Sequence, residues 1–406
     1  MKIIDQIRDG DVWEEFLGYK TRAGHLSRDE QRRLRSYIDE RMYLSDTDLM
    51  TGELPLARKV VISKIGGKKR TVYIYPEGFG YILKLITYLL SKYDGMFSDS
   101  CYAFRHGRCS GDAVRKLRGS ALLSMYAVKA DIHDYFNSID PVRLLGKLSF
   151  LKEEEPEIYD LFEKILLEDR VIFEGKVITE KRKGAMAGIP VSAFFANVYL
   201  SDTDRFFEGQ GIPYFRYSDD ILLFGKTREE ALERRDILYE RIAAEGLEIN
   251  PGKVAFYEPG QGVEFLGFRF KGNMCDVSSA TLGKIKAKIR RKARTMRRWA
   301  YRKDLSSDKA AKGFIKAMNY KFFDCGEDDR FSWSRWFFPY ITTADSLKVI
   351  DSHMQEYIRY CVTGRHYKGN YKISYDTMRD WGYRNLVHEY YNFDTSGGHE
   401  GDNCSL

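Results

Sequence analysis

Apolar residues along this chain follow two spacings, and each spacing predicts a different element. Where apolar side chains recur every three or four positions, they line one face of an amphipathic helix. Tyr81–Tyr93 is a clear case, with Leu85 and Leu89 on the same side. Further helices are predicted by the same pattern over residues 28–41 (after a capping Ser27), 141–167, 192–207, 227–245 and 284–303.

Shorter runs of β-branched and aromatic residues predict strands. Two strands are predicted between residues 56 and 77, joined by a turn at Gly66 and Gly67. A hairpin is predicted over Val171–Thr179. Helices and strands are thus mixed along the chain.

Two acidic residues interrupt an apolar and aromatic run at Phe215–Phe224. The run predicts a β-hairpin with Ser218, Asp219 and Asp220 at or near its tip. Carboxylates between buried strands are costly to desolvate unless a cation or partner compensates. Mg²⁺ is a usual partner, because it binds one or two carboxylates together with substrate phosphates. An ordinary Asp-Asp turn is the alternative.

A second apolar strand ends at Asp131, where a loop begins. If this strand pairs beside the hairpin, Asp131 and Asp219 converge. Carboxylates so placed can hold two cations roughly 3.5–4 Å apart, which stabilises both the attacking and the leaving oxygen of a phosphoryl displacement. The two stretches together therefore predict phosphoryl-transfer chemistry.

Composition narrows the class of protein. The 406 residues can bury a substantial core, and the length allows two or three domains. Six scattered cysteines without a Cys-x-x-Cys indicate reduced thiols and no zinc site. The N-terminus lacks the apolar core of a signal peptide, and no run approaches the roughly 20 apolar residues of a membrane span. We expect a cytoplasmic protein that does not enter a membrane.

Positive charge is concentrated in one predicted helix. The net charge is +7, and eleven of the twenty residues between Lys284 and Lys303 are Lys or Arg. One face of this helix can pack while the other meets a phosphate backbone. A solvated face is the alternative, but the near absence of acids favours nucleic acid. The candidate contacts are Arg290, Arg291, Arg294 and Arg298.

Ordered motifs from about residue 56 to 270 resemble those of reverse transcriptases. Tyr217–Asp220 is similar to the Tyr-x-Asp-Asp box, and Asp131 with Phe136 resembles the first catalytic motif. Phe104–Arg108 resembles the Phe-Arg-x-Gly-Arg signature of bacterial members. Further similar stretches are Lys64–Arg70, Gly188–Ser192, Gly246–Lys253 and Glu264–Phe268. The chain looks most like bacterial enzymes of the group II intron and retron lineage, among them the stand-alone unknown-group, defence-associated class.

The resemblance implies an α+β right-hand polymerase that makes DNA from an RNA template and dNTPs. It implies a helical segment at 1–55, fingers and palm at 56–270, a basic thumb with a helical extension at 271–394, and a disordered tail at 395–406. It also implies a partner noncoding RNA and a role in antiphage defence. Two Mg²⁺ ions, for which Mn²⁺ can substitute, are implied at Asp131, the Ile132 carbonyl, Asp219 and Asp220.

The resemblance also assigns residues that bind substrates. In the family, an aromatic at the position of Phe136 lies under the sugar and excludes a 2′-hydroxyl; core packing is the alternative for this residue. Arg105 and Arg108 are implied as nucleic-acid contacts, with structural ion pairs as the alternative. The implied nucleotide-binding residues are Lys64, Arg70, Phe136, Ser192 and Lys253.

The sequence departs from the family pattern next to this site. The Gln that often precedes the glycine of the nucleotide-binding motif is Ala187, and the Pro that often follows its serine is Ala193. The loss of an amide keeps open an enzyme that adds nucleotides without a template or primes on its own side chain. A maturase-like RNA-binding protein is a second alternative, and the intact acids argue against it.

Overall fold

A computed structural model describes residues 1–22, 26–47, 52–63, 69–181, 183–324 and 332–393. Lys64, the predicted turn at Gly66 and Gly67, and the predicted tail at 395–406 lie outside these residues. Within the described part of the chain, no helix combines the length and the apolar composition needed to cross a membrane.

The chain divides into two compact units. Among the described residues, the first contains Met1–Ala113 and Met125–Glu258, and the second contains Val114–Ser124 and residues 259–393. The domain limits drawn at residues 55, 270 and 394 from the sequence stay a prediction.

Helices make up most of the chain as far as Glu258. The described α-helices are α1 (Ile3–Ile7), α2 (Gly10–Arg22), α3 (Arg28–Asp39), α4 (Met42–Asp46), α5 (Glu77–Leu89), α6 (Ser110–Leu117), α7 (Tyr135–Ser138), α8 (Pro141–Lys147), α9 (Leu151–Glu154), α10 (Pro156–Leu167), α11 (Ser192–Gly209) and α12 (Arg228–Ala244). Short 3₁₀ segments lie at Leu90–Met96, Ala121–Ser124 and Pro251–Lys253. The helix expected over 141–167 is therefore three helices, and Pro156 begins the last of them.

Eight strands form two sheets in the first unit. They are β1 (Arg58–Ser63), β2 (Lys69–Ile74), β3 (Tyr126–Asp131), β4 (Arg170–Phe173), β5 (Lys176–Thr179), β6 (Tyr214–Tyr217), β7 (Asp220–Gly225) and β8 (Ala255–Tyr257). One sheet has the order β2-β1-β4-β5 and the other the order β6-β7-β3-β8.

The first sheet joins the two predicted hairpins. β1 pairs antiparallel with β2, and it meets β4 in parallel through Arg58 and Ile172. Glu174 and Gly175 both have positive φ between β4 and β5. Such a two-residue turn matches the twist of the flanking strands, so it fixes the register of this hairpin.

The second sheet is antiparallel throughout and is covered by helices. All apolar residues of β7 from Ile221 to Phe224 are buried. Helix α12 packs on β7 and β3, and α11 packs on β6. At Gly225 an added Cβ would lie 2.5 Å from the Ala231 nitrogen, so glycine is what allows α12 to approach the strand. Buried core residues surround this sheet, which holds β3 and β7 rigidly in register.

The second unit contains a small sheet and a helical bundle. Its elements are β9 (Val263–Phe265), β10 (Phe268–Lys271), β11 (Met274–Val277), α13 (Ser279–Arg302), α14 (Ser307–Asn319), α15 (Trp333–Phe337), α16 (Asp345–Thr363), α17 (Tyr375–Asp380) and α18 (Leu386–Tyr391), with a π-helical segment at Tyr320–Asp324 and a 3₁₀ segment at Lys368–Lys372. The strand order is β11-β10-β9.

Helix α13 packs against α14 and α16 through the stripe predicted from its sequence. Ile285, Ile289, Ala293 and Ala300 are buried on that stripe. Ser278 caps the helix by accepting a hydrogen bond from the Thr281 nitrogen. Most of the arginines between these apolar positions are exposed, whereas Arg297 contacts the end of α16.

Candidate active site

The register of two neighbouring strands brings the predicted acids together. β3 pairs antiparallel with β7, and Asp131 lies directly opposite Asp220. The Ile132 nitrogen also donates to the Asp219 carbonyl at 3.0 Å. Residues opposite each other on antiparallel strands point to the same face. Three carboxylates that are up to 89 positions apart in the sequence therefore share one end of the sheet.

The turn that carries the acids is tight. Tyr217 pairs with Asp220, so only Ser218 and Asp219 form the turn between β6 and β7. Ser218 is buried and has φ of 58°, a conformation that is uncommon for residues other than glycine. The predicted hairpin is thus present, with its two-residue tip at the position expected from the sequence.

A buried ion pair is hydrogen-bonded to this turn. Arg216 and Asp204 are both fully buried, and the guanidinium donates to the two carboxylate oxygens at 2.7 and 2.5 Å. The Nη1 of Arg216 also donates to the Ser218 carbonyl at 3.2 Å. Such a bidentate pair has a fixed geometry, so it links α11 to the turn at Ser218 and Asp219. Sequence reasoning missed it, because nothing in the spacing signals the partner of Arg216.

Two lysines offset part of the negative charge of the three aspartates. Lys253 Nζ lies 2.7 and 2.6 Å from the two carboxylate oxygens of Asp131. Lys129 Nζ lies 3.3 Å from Asp220 Oδ2. Lys253 was expected from the resemblance to bind nucleotide. In this structure it pairs with Asp131, and its role toward nucleotide stays a prediction. Lys129 was missed, although its position two residues before Asp131 puts both side chains on one face.

The electrostatics of the site disfavour the ionised forms of Asp219 and Asp220 in the absence of a further cation. Burial, followed by the neighbouring Asp131 carboxylate, raises the pKa of Asp219 above its ordinary value. Burial raises the pKa of Asp220 to about 6, against the attraction of Lys129. Both shifts reflect the cost of placing negative charge in a poorly solvated site that already contains another carboxylate. A bound cation would remove that cost.

The donor atoms fit a hard divalent cation. Carboxylate and backbone carbonyl oxygens are the ligands that Mg²⁺ and Mn²⁺ prefer. Asp220 Oδ1 is buried and accepts no hydrogen bond from any described residue, so an oxygen is left for a cation. Over the described residues, no group of three or more His, Cys, Asp and Glu side chains is arranged as a complete metal cluster. Mg²⁺ commonly needs only one or two carboxylates, with substrate phosphates and water completing its shell.

Phe136 and Tyr135 face different ways beside the acids. Tyr135 is buried, and its hydroxyl donates to the Ala196 carbonyl at 2.5 Å. Phe136 is half-buried, and its ring meets that of Phe104 edge-on at 6.2 Å. Phe104 in turn lies 6.1 Å from the ring of Tyr217, next to the turn. Of the two aromatics, Phe136 is therefore the one with a partly open ring near the catalytic turn.

The loop that contains Ala187 is hydrogen-bonded to the backbone of Phe136 and to the backbone of β2. The Ala185 nitrogen donates to the Phe136 carbonyl at 2.8 Å, and the Tyr73 nitrogen donates to the Ala187 carbonyl at 2.8 Å. Gly188 has φ of 105°, and a Cβ there would lie 3.0 Å from the Tyr73 carbonyl. Glycine is therefore required at this close approach.

The other predicted nucleotide-binding residues differ in exposure. Arg70 is exposed on β2, opposite Ile62 on β1. Ser192 begins α11, but it is buried and its hydroxyl donates to the Ile189 carbonyl at 2.7 Å. The side chain of Ser192 is therefore occupied by its own backbone, while Arg70 is available to a ligand.

Arg105 and Arg108 have partners within the protein. Arg105 is buried and donates to the carbonyls of Ser98, Cys101 and Asp94 at 2.7–3.1 Å. Arg108 pairs with Asp99 and remains partly exposed. The structural alternative is thus favoured for Arg105, because a buried guanidinium with these carbonyl partners does not reach a phosphate.

The predicted basic residues of α13 belong to the second unit. Arg290, Arg291, Arg294 and Arg298 are all exposed. Arg297, which was not singled out, donates to carbonyls at the end of α16, the nearest being Tyr360 at 3.3 Å. The four predicted arginines therefore belong to the second unit and the acids to the first. Arg297 is held by contacts within the protein.

Comparisons with known proteins identify the family of the chain. The family described as reverse transcriptase (RNA-dependent DNA polymerase) matches residues 62–270, just over half of the 406 residues. The chain is 29% identical to the Retron Ec86 reverse transcriptase of Escherichia coli over 106 residues, which are 25% of this chain and 33% of that protein. It is 27% identical over 157 residues to an uncharacterized 91 kDa protein in the cob intron of Schizosaccharomyces pombe, covering 37% of this chain and 18% of that one. The chain therefore spans a third or less of these two relatives.

Solved structures with a remote likeness include two telomerases. The telomerase from Candida albicans in complex with a fragment of telomeric RNA aligns with a TM-score of 0.44 at 12% identity, over 89% of this chain and 69% of that one. Apo telomerase from Candida tropicalis aligns with a TM-score of 0.44 at 13% identity, over 80% of this chain and 67% of that one.

The family match confirms the α+β right-hand polymerase class expected from the sequence. It also confirms the resemblance to bacterial enzymes of the retron and group II intron lineage. On the extent of the match, the chain belongs to the reverse transcriptase (RNA-dependent DNA polymerase) family.

Proposed function

We propose that this chain synthesises DNA on an RNA template by nucleotidyl transfer. The observation that carries the proposal is the pairing of β3 with β7, in which Asp131 lies opposite Asp220 and next to Asp219. A carboxylate cluster at a strand end, in which Asp219 and Asp220 have raised pKa values, suits divalent cations and phosphates. Membership of the reverse transcriptase family supports the reaction class.

Asp131, Asp219 and Asp220 hold the cations in this proposal, together with the Ile132 carbonyl. Two bound Mg²⁺ or Mn²⁺ ions would supply charge stabilisation to the attacking and leaving oxygens. Asp220 contributes negative charge and is held in position by Lys129. Lys253 neutralises Asp131 in the free enzyme and, because its side chain is 55% exposed, it is free to turn to the phosphates of a bound nucleotide.

Substrate selection is assigned to residues around the same turn. Phe136 is the proposed sugar gate, since its partly open ring lies beside Phe104 and near Tyr217. Arg70 is proposed to contact the triphosphate, because it is exposed on β2, the strand that holds the Ala187 loop. Lys64 keeps its proposed role by resemblance alone.

The decisive experiment is primer extension with Asp219→Asn. We expect incorporation of dNTPs on an RNA template to fall at least about 10³-fold, the scale on which removal of a group that stabilises the transition state acts. Asp236→Asn on α12 is the matched control, because Asp236 is an exposed aspartate away from the acids. Extension by Asp219→Asn at the rate of the control variant would refute the proposal.

Sequencing of the products tests the two alternatives. Copied sequence that matches the supplied RNA supports templated synthesis. Homopolymeric or template-free products would support the enzyme that works without a template, which the Ala187 loop keeps open. RNA binding without synthesis would support a maturase-like protein.

We further propose that the template is a cognate noncoding RNA and that its copying protects the host from phage. The support is the resemblance of the motifs to those of defence-associated enzymes. RNA that copurifies with the protein should be enriched in one structured transcript. Phage plating efficiency on cells with wild-type protein, compared with Asp219→Asn, tests whether protection depends on synthesis.

A further inference from the structure

The second unit contains a cavity that the proposed polymerase chemistry does not use. It has a volume of about 990 Å³ and lies between the end of α13, the start of α14 and the end of α16. Its floor includes Ala300, Ala310 and Cys361, which are all buried. An apolar floor of this size can accept a planar group.

The wall of the cavity is strongly basic. Arg294, Arg298 and Arg302 line it and are exposed. None of the three forms an ion pair with a carboxylate of the described residues, and the described lining contains no Asp or Glu. Arg298 Nε donates to the Arg294 carbonyl at 3.4 Å, which leaves the terminal nitrogens of its guanidinium for a ligand. Uncompensated arginines around one cavity attract phosphate.

An exposed aromatic ring completes the lining. Tyr301 is 88% exposed, although large apolar rings are usually covered in a folded protein. Arginines with an exposed aromatic beside them are the combination that binds unpaired nucleotides, by ionic contact with the backbone and stacking on the base. An acidic peptide would satisfy the arginines but would leave the Tyr301 ring uncovered.

We propose that this cavity binds an unpaired nucleotide of RNA or DNA. Its phosphates contact Arg294, Arg298 and Arg302, and its base stacks on Tyr301 above the apolar floor. The inference rests on the proposed function in so far as the chain handles nucleic acid. The inference goes beyond the proposed function because a paired base cannot stack on Tyr301. The Tyr301 contact therefore distinguishes single strands from duplex, whereas Arg294 and Arg298 can contact the phosphates of either.

The test compares Tyr301→Ala with Trp299→Ala in the full chain. Trp299 is a matched control, because it is an exposed aromatic on the same helix and is not among the described lining residues. Binding of a single-stranded RNA, a single-stranded DNA and a blunt duplex of the same sequence is measured by fluorescence anisotropy. A 2-aminopurine in each single strand reports base stacking through quenching.

We expect Tyr301→Ala to weaken single-strand binding about 5- to 150-fold, the range that loss of one base–aromatic stack supports. Quenching of 2-aminopurine should be lost as well, while duplex binding stays unchanged. Trp299→Ala should leave all three affinities as in the wild type. Whichever single strand responds more strongly identifies the source of the nucleotide.

Three results would overturn the inference. Equal weakening of single strand and duplex would make Tyr301 part of a general surface, and no weakening at all would exclude the stack. Competition by an oligoglutamate peptide that depends on Tyr301 would assign the cavity to an acidic peptide. Primer extension by wild-type protein is measured in parallel. If extension fails while the binding pattern holds, the polymerase proposal is wrong and this site stands.

Discussion

At the proposed active site, the cost of ionising each of the three aspartates depends on which lysine lies next to it. Asp131 has Lys253 at hydrogen-bonding distance, and Asp220 has Lys129 at 3.3 Å. In the described residues Asp219 has no lysine or arginine partner in an ion pair, and its pKa is raised. Functional sites commonly hold such unfavourable charge so that a ligand can relieve it.

The cost of ionising Asp219 and Asp220 in the folded chain predicts that the stability of the fold depends on pH. A carboxyl group with a higher pKa in the folded chain than in the unfolded chain binds its proton preferentially in the folded state. Its ionisation therefore destabilises the fold, fully above the folded pKa and not at all below the unfolded one. For Asp220 this window runs from the ordinary value of 3.8 to about 6.

We therefore expect the variant Asp219→Asn with Asp220→Asn to melt a few degrees higher than wild type in metal-free buffer above pH about 6. The gain should shrink as the pH falls toward 3.8, because the wild-type acids then become neutral. Differential scanning fluorimetry across this range, with Asp236→Asn as control, measures it. A gain that is independent of pH would mean that charge is not its cause.

Sugar selectivity is predicted to depend on Phe136. Phe136→Val opens space beside the half-buried ring, so ribonucleotide use should rise relative to deoxynucleotide use by about 10- to 100-fold, which corresponds to roughly 1.4–2.8 kcal/mol of lost discrimination. The measurement is the ratio of kcat/KM for dNTP and rNTP. Tyr135→Phe is the matched control, since it removes only the hydroxyl that donates to Ala196. An unchanged ratio in Phe136→Val would place the gate elsewhere.

The buried pair of Arg216 and Asp204 is predicted to position the turn. Arg216→Met alone should destabilise the chain by about 3–5 kcal/mol, because it leaves a buried carboxylate without its partner. Combining it with Asp204→Leu should restore most of the melting temperature, since both charges are then removed. Activity should stay low in the double variant, because the Ser218 carbonyl has lost its donor.

Comparing Tm with kcat in the single and the double variant shows whether the Arg216–Asp204 pair serves folding alone or also positions the acids. If the double variant regains both stability and wild-type kcat, the pair serves folding alone. A lowered kcat with an unchanged KM for dNTP would instead indicate misplaced acids.

Among the elements, α13 combines a packing stripe with an exposed basic face. Neutralising Arg290, Arg291, Arg294 and Arg298 to Gln should weaken unrelated template–primer duplexes by similar factors, because phosphate contacts carry no sequence information. The slope of log K against log salt should flatten by about 0.9 for each lost contact. Fluorescence anisotropy at several salt concentrations measures both effects.

A matched control comes from the next helix. Lys309, Lys312 and Lys316 are exposed on α14, so their change to Gln removes similar charge from the same unit. Processivity should fall in the α13 variant more than single-nucleotide incorporation does. If both sets of changes alter the salt slope equally, the effect comes from net charge and not from α13.

Elements with a strong local signal could be predicted from the sequence. Ser27 caps α3 with a full capping box, Thr227 caps α12, and the catalytic hairpin has its predicted tip. The three short helices within 141–167 were not separated, because their apolar pattern is nearly continuous across the breaks. A cap or a tight turn is fixed by residues a few positions apart, so the sequence predicts it. A break inside a continuous apolar pattern has no such local signal.

Across the whole molecule, the sequence by itself determined the identity of the acids, the order of the elements and the family. These follow from residue types and spacings that act over a few positions or match a known motif. Only the tertiary structure decided which charges meet. Lys253 and Asp131 are 122 positions apart, and Arg105 and Arg290 look alike in sequence although one is buried and the other exposed. Burial and partner choice depend on long-range packing and strand register, which no local pattern encodes.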